Sequence, residues 1–224
     1  MKTEIRNQPD YASLHVWLDD GESIVTESGA MMGMDPALKM ETNMKGGLFG
    51  GLKRMVGGES VFLNTYTSTG EAQRIDIAPS TPGDMREIDV GTGGTKVMVQ
   101  SGGYCACTPE VELSASWQGA KGFFSGEGLI MLQAQGVGKL WITSYGAIDE
   151  VEVNGSYIVD TTHIVAFEDS LTYNIRKLGG LKSFFLSAEG LVCEFHGQGK
   201  LWIQTRNAPN LASFLHPFRR VNAN

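Results

Sequence analysis

Three stretches of this chain repeat one another, and that self-similarity constrains the fold more than any other feature. GGLFGGLKRMVGGESVFLNTYT (46–67), QGAKGFFSGEGLIMLQAQG (118–136) and GGLKSFFLSAEGLVCEFHG (179–197) share one order of residue types. Each runs from a Gly-rich lead-in through a Phe or Leu with a nearby Lys to a Glu and an apolar run. The anchoring glutamates Glu59, Glu127 and Glu189 stand 68 and 62 residues apart. Recurrence at a fixed spacing marks a structural unit that stacks against its own neighbours.

The flanks of each stretch also correspond. SGAMMGMDPALKMET (28–42), SGGYCACTPEVELSA (101–115) and TTHIVAFEDSLTYNI (161–175) each give an apolar run, a polar turn and an alternating segment. Leu38/Met40, Val111/Leu113 and Leu171/Tyr173 sit two apart, the period of a half-buried strand. Asp35-Pro36 and Thr108-Pro109 mark turns, because Pro fixes φ and cannot join a ladder through its nitrogen. Downstream, LIMLQAQ-GVGK-LWITSYG and LVCEFH-GQGK-LWIQTRN read as tight hairpins about Gly-x-Gly-Lys, with Trp141 and Trp202 on the return strands. VFLNTYT-STGEA-QRIDIA reads as a hairpin with a longer turn, and Asn154-Gly155 as a further hairpin turn. Helical periodicity is confined to Leu52–Val56 and Leu211–Phe218. The expected fold is all-β: repeated antiparallel β-sandwich or barrel units in one compact region, 1–224. Its copies span about 24–80, 96–153 and 157–207, with a tail over 208–224.

Composition supports a packed, turn-rich chain. There are 29 glycines, and charged residues make up 19% against roughly a quarter in ordinary soluble domains. The net charge of −7 and the scatter of the 18 basic residues oppose nucleic-acid binding, which needs clustered cations. Cys105, Cys107 and Cys193 form no disulfide framework and point to a reducing compartment. On a regular strand Cys105 and Cys107 would share one face. The first residues lack the apolar core of a signal peptide. No stretch approaches the roughly 20 apolar residues of a spanning helix. A cytoplasmic protein, peripheral to a membrane at most, is expected.

No nucleophile–base pattern stands out, and His15, His163, His196 and His216 are dispersed. No catalytic residue, cofactor or metal is therefore expected. Gly46–Arg54 resembles a phosphate-cradling loop only superficially, since Arg follows Lys53 where a P-loop needs Ser or Thr. It reads better as an interaction loop, with Leu48, Phe49 and Leu52 as apolar tips and Lys53 and Arg54 facing anionic groups. Glu59, Glu127 and Glu189 read as local anchors accepting backbone N–H bonds where the Gly-rich turn enters a strand. Convergence of the three on a cation is the alternative.

GGLKRMVGGESVF, FFSGEGL, Ser144–Ala147, Val159–Phe167 and Leu201–Asn207 together resemble the altered-inheritance-of-mitochondria protein 24 family, from about Gly29 to Asn207. The resemblance implies a fold of the kind seen in the tryptophan RNA-binding attenuation protein, a double-stranded β-helix type. It also implies duplicated units and assembly into a homo-oligomer, a trimer being favoured. Eukaryotic relatives act in mitochondrial inner-membrane organisation; neither that location nor RNA binding is carried over to this chain.

The expected function is a non-enzymatic oligomeric scaffold or interaction protein with a membrane surface or protein as partner. The alternative is a small-ligand binding module lined by Trp141, Trp202, Tyr145 and Arg206.

Overall fold

The computed structural model describes residues 1–42, 63–116, 131–177 and 191–219. The described chain is mostly β: seventeen strands in three antiparallel sheets, with one short helix near the C-terminal end. The first sheet orders β1 (Lys2–Arg6), β2 (Ser13–Leu18), β7 (Gln73–Ile77) and β4 (Met31–Met34). The second orders β5 (Lys39–Thr42), β6 (Leu63–Thr67), β3 (Ser23–Glu27), β10 (Tyr104–Cys107), β13 (Gly138–Thr143) and β8 (Met85–Val90). The third orders β11 (Val111–Ser116), β12 (Met131–Gly136), β9 (Val97–Gln100), β15 (Ile164–Glu168), β17 (Leu191–Gln204) and β14 (Ile148–Asp160). A seventh strand, β16 (Thr172–Lys177), pairs with the first half of β17.

Strand formation follows the alternation read from the sequence. The apolar runs before and after Asp35-Pro36, Thr108-Pro109 and, in the third stretch, Asp169-Ser170 become β4/β5, β10/β11 and β15/β16. Three core clusters lie between and within the sheets. Leu14, Val16, Ile75 and Ile77 of the first sheet pack on Ile24 and Tyr66 of the second. Leu140 and Ile142 pack on Val99, Leu132 and Trp202 of the third. Phe167, Phe195 and Leu201 fill the third cluster, where Phe167 and Phe195 meet edge to face at 5.0 Å. Burial of such side chains stabilises by about 1.5–3 kcal/mol each.

The expected hairpins are not present. β12 and β13 flank the Gly136-Val137-Gly138 step but lie in different sheets, and β17 runs unbroken through Gly197-Gln198-Gly199. β6 and β7 also lie in different sheets, and Asn154-Gly155 sits inside β14 with Gly155 opposite Gly197. The glycines bend a continuing strand rather than reverse it. Gly136 and Gly197 have φ of 113° and 120°, values L side chains rarely adopt, and a Cβ on Gly136 would collide with the Glu110 carbonyl.

β4, β10 and β15 carry the same irregularity. The register breaks between Met31 and Gly33 against β7, between Tyr104 and Ala106 against β13, and between Ile164 and Ala166 against β17. The break in β10 corrects the expectation for the cysteines. A bulge adds a residue and upsets alternation, so Cys105 joins the first-to-second-sheet core and Cys107 the second-to-third-sheet core.

Candidate functional site

The outer face of the first sheet gathers polar groups that sequence reading did not connect. Ser13 and His15 lie two apart on β2, so both point to one face, and β7 places Asp76 opposite His15. Ser13 Oγ is 3.0 Å from His15 Nε2, and His15 Nδ1 is 2.6 Å from Asp76 Oδ1. With its proton on Nδ1, His15 donates to Asp76 and leaves Nε2 to accept from Ser13. That is the hydrogen-bond order of a nucleophile triad.

Two features set this cluster apart from an activated serine. Arg74 Nε donates to Asp76 Oδ1 at 2.7 Å, and Arg74 Nη2 lies 2.9 Å from His15 Nδ1. The guanidinium thus takes part of the negative charge a triad uses to stabilise an imidazolium. Ser13 is also buried, which keeps a substrate carbonyl from its Oγ. Burial pushes the Asp76 carboxyl up, but the hydrogen bonds from Arg74 and His15 outweigh it and hold it below its ordinary range. Trp17 on the same face is ringed by Lys2, Arg74 and Arg6 at 5.3, 5.6 and 6.0 Å from its ring. The arrangement is a cross-strand charge network capped by cation–π contacts.

Among the described strands β1, β4, β5, β8, β11, β14 and β16 each pair on one side only. β4 pairs only with β7 on one side, and the second half of β14 only with β17. Both carry exposed apolar side chains: Met31, Met32 and Met34 on β4, Tyr157 and Ile158 on β14. Such edges are templates for another strand.

The residues expected to form a site fall elsewhere. Leu48, Phe49, Leu52, Lys53 and Arg54, and the glutamates Glu59, Glu127 and Glu189, lie outside the described residues. Trp141 and Trp202 do not line one cleft with Tyr145 and Arg206, because each tryptophan is buried in a different core cluster. Trp202 Nε1 donates to Glu150 Oε2 at 2.9 Å. The histidines stay apart: His163 caps the approach to the terminal helix, His196 stands 3.9 Å from Glu194, and His216 is exposed. Among the described residues no three His, Cys, Asp or Glu side chains stand close enough to share a metal ion. None of the described helices is long and apolar enough to cross a membrane.

Comparison with known proteins agrees with this architecture. The uncharacterized protein M6_Spy0233 of Streptococcus pyogenes serotype M6 is 26% identical over 234 residues, covering 100% of this chain and 93% of that protein. The crystal structure of protein SPYM3_0169 from Streptococcus pyogenes superposes with a TM-score of 0.80 at 26% identity, covering 97% of this chain and 99% of that one. The family described as mitochondrial biogenesis AIM24 matches residues 3–206, nearly the whole chain, and the protein belongs to that family.

Proposed function

We propose that this protein is a non-enzymatic homo-oligomeric scaffold, built from three diverged copies of one six-strand unit and joined head to tail through β4 and β14. The units span 13–77, 85–143 and 148–204, each beginning before the sequence-read copy. The support is a common pairing order. β2·β7, β3·β6, β4·β7 and β5·β6 recur as β8·β13, β9·β12, β10·β13 and β11·β12. In the last unit β14 and β17 each fuse two of these strands, and β15 and β16 supply the rest.

The observation that carries the reading is how the units join. β3 pairs with β10 at Thr26↔Ala106 and Val25↔Cys107; β9 pairs with β15 at Val99↔Ala166 and Met98↔Phe167. Continuing the series sets Val159 of one copy opposite Gly33 of the next, and Ile158 opposite Met34. At the β9·β15 joint Met98 and Phe167 are each 3% exposed, whereas Met34 is 38% and Ile158 43% exposed. A head-to-tail contact of this kind closes into a ring or runs on as a filament. The ring we propose is a trimer, which would bring nine units together.

The test is native mass spectrometry of the purified protein together with oxidation of a Met34→Cys/Ile158→Cys variant. Directly opposed strand residues stand within the Cα separation a disulfide needs. Expected are a trimer and covalent linkage only in the double variant. A monomer at micromolar concentration, or an oligomer the double variant does not cross-link, sinks the head-to-tail reading.

A further inference from the structure

We propose that the C-terminal helix is a docking element for an anionic lipid surface. This helix, α1 (Ala208–Leu215), continues into a 3-10 turn, His216–Phe218. Every residue from Ala208 to Arg219 is exposed, in a chain whose strands are otherwise packed on both sides of three cores. Leu211, Phe214, Leu215 and Phe218 recur at the i, i+3, i+4, i+7 spacing that places four side chains on one helical face. Phe214 is 67% and Phe218 73% exposed, and their rings meet at a tilt with centroids 5.8 Å apart. The face has the chemistry of an interfacial helix, with aromatic and aliphatic side chains on one stripe and small or polar residues opposite.

Charge selects the occupant. From Leu201 to Asn224 the sequence holds Arg206, Arg219 and Arg220 and no carboxylate side chain, although the whole chain has a net charge of −7. Lys200, just before, is paired with Glu150 at 2.7 Å. Arg219 follows directly on the apolar stripe, where it would meet headgroup phosphates as Phe218 enters the acyl boundary. The root of the helix is fixed. Asn207 is buried; its Oδ1 accepts from Asn210 N at 2.8 Å and its Nδ2 lies 2.8 Å from His163 Nε2. His163 Nδ1 in turn donates to the Gln204 carbonyl at 2.6 Å. Ser213, and His216 one turn after Ala212, occupy the opposite face, so the helix presents one apolar side at a fixed attachment point. The reading does not depend on the β4·β14 joint. In an assembly the several helices would bind together and raise the apparent affinity.

The test is co-sedimentation of the full chain with phosphatidylglycerol/phosphatidylcholine vesicles and with phosphatidylcholine alone. It compares the unaltered protein, Phe214→Ser/Phe218→Ser and Arg219→Glu, with native mass spectrometry of each. All three substituted positions are exposed, so folding is not at stake. The expected result is binding to the anionic vesicles that falls on the order of tenfold or more in the double Ser variant. Arg219→Glu should weaken it as well, with the oligomeric state unchanged throughout. Absence of binding to the anionic vesicles, or binding the double variant retains, overturns the proposal. Dissociation of an oligomer by the double variant also overturns it and assigns the face to a second copy of this chain.

Discussion

His15 and Asp76 face each other across β2 and β7 at 2.6 Å, on a rung where the neighbouring strand β4 offers only Gly33. A similar rung joins Glu150 to Trp202 at 2.9 Å, with Ala166 as the small neighbour. In both places the residue after a register break is small, and the room beside it is filled by a hydrogen-bonded cross-strand pair. Where Trp202 is buried in a core, Asp76 lies on the outer face, and its partners are charged.

The His15–Asp76 pair should contribute stability with a definite pH signature. The Asp76 carboxyl is held below its ordinary value, so its contribution is present above the unfolded value near 3.8 and is lost as pH falls through the folded one. Asp76→Asn should lower stability by about 1–3 kcal/mol at neutral pH. It should also flatten the acid limb of the urea-midpoint profile. An unchanged midpoint at pH 7 would show that Arg74 alone satisfies the face.

Glu27 should behave in the opposite sense. It ends β3 opposite Leu63, and burial pushes its carboxyl from 4.5 up to about 7. A carboxyl raised on folding costs stability when it ionises. Relative to Glu27→Gln, the unaltered protein should therefore lose stability between pH 4.5 and 7 and stay level above that. Because the group is part-exposed, solvent screening reduces the expected gain for Glu27→Gln at pH 8 to on the order of 1 kcal/mol. Urea midpoints of the two proteins from pH 4 to 8 check both the sign and the window.

Strand positions were legible in the sequence because alternation survives in any half-buried ladder: the segments around Leu113 and Tyr173 become β11 and β16 as read. Chain reversal was not. Glycine with positive φ serves a hairpin turn and a strand bend equally well, so Gly136, Gly155 and Gly197 carried no signal to separate the two. The register breaks were hidden for a related reason, since one extra residue such as Cys105 leaves the apolar pattern of β10 intact. The polar cluster was illegible because Asp76 is 61 residues from His15 and only the β2·β7 pairing unites them. A Ser-x-His run on a strand was the one local hint.

The cysteines should be chemically silent in the folded protein. All three are buried free thiols, and burial pushes each up to about 12, so almost no thiolate is present at pH 8. Reaction with a thiol-specific disulfide reagent should therefore track global unfolding, releasing no equivalent in buffer and three in denaturant. Fast labelling of one thiol under native conditions would mean that its core cluster opens locally, and the bulge at Cys105 marks the first place to look.

Asp84 and Arg86 form the pair whose disruption should cost most outside the apolar core. The Asp84 side chain is fully buried; its Oδ1 accepts from Gln8 Nε2 at 2.9 Å and from Met85 N at 2.8 Å. Its backbone ties the segment to Gly146 and Ser144, linking the entry of β8 to the entry of β14. Arg86 Nη1 stands 2.8 Å from Oδ2 but is not aligned for a hydrogen bond, so it compensates the charge without satisfying the oxygen. Removing the partner of a buried carboxylate leaves its charge uncompensated, at up to about 3–5 kcal/mol. Arg86 is part-exposed and can turn to water, whereas Asp84 cannot. Arg86→Ala should thus be the more damaging single change per charge removed, with Asp84→Ala costing the two Oδ1 hydrogen bonds instead. The double variant should cost less than the two singles together, because the buried charge and its counter-charge leave at once. Additive losses in urea denaturation would show that the Arg86 contact contributes nothing and that the two Oδ1 bonds hold the segment alone.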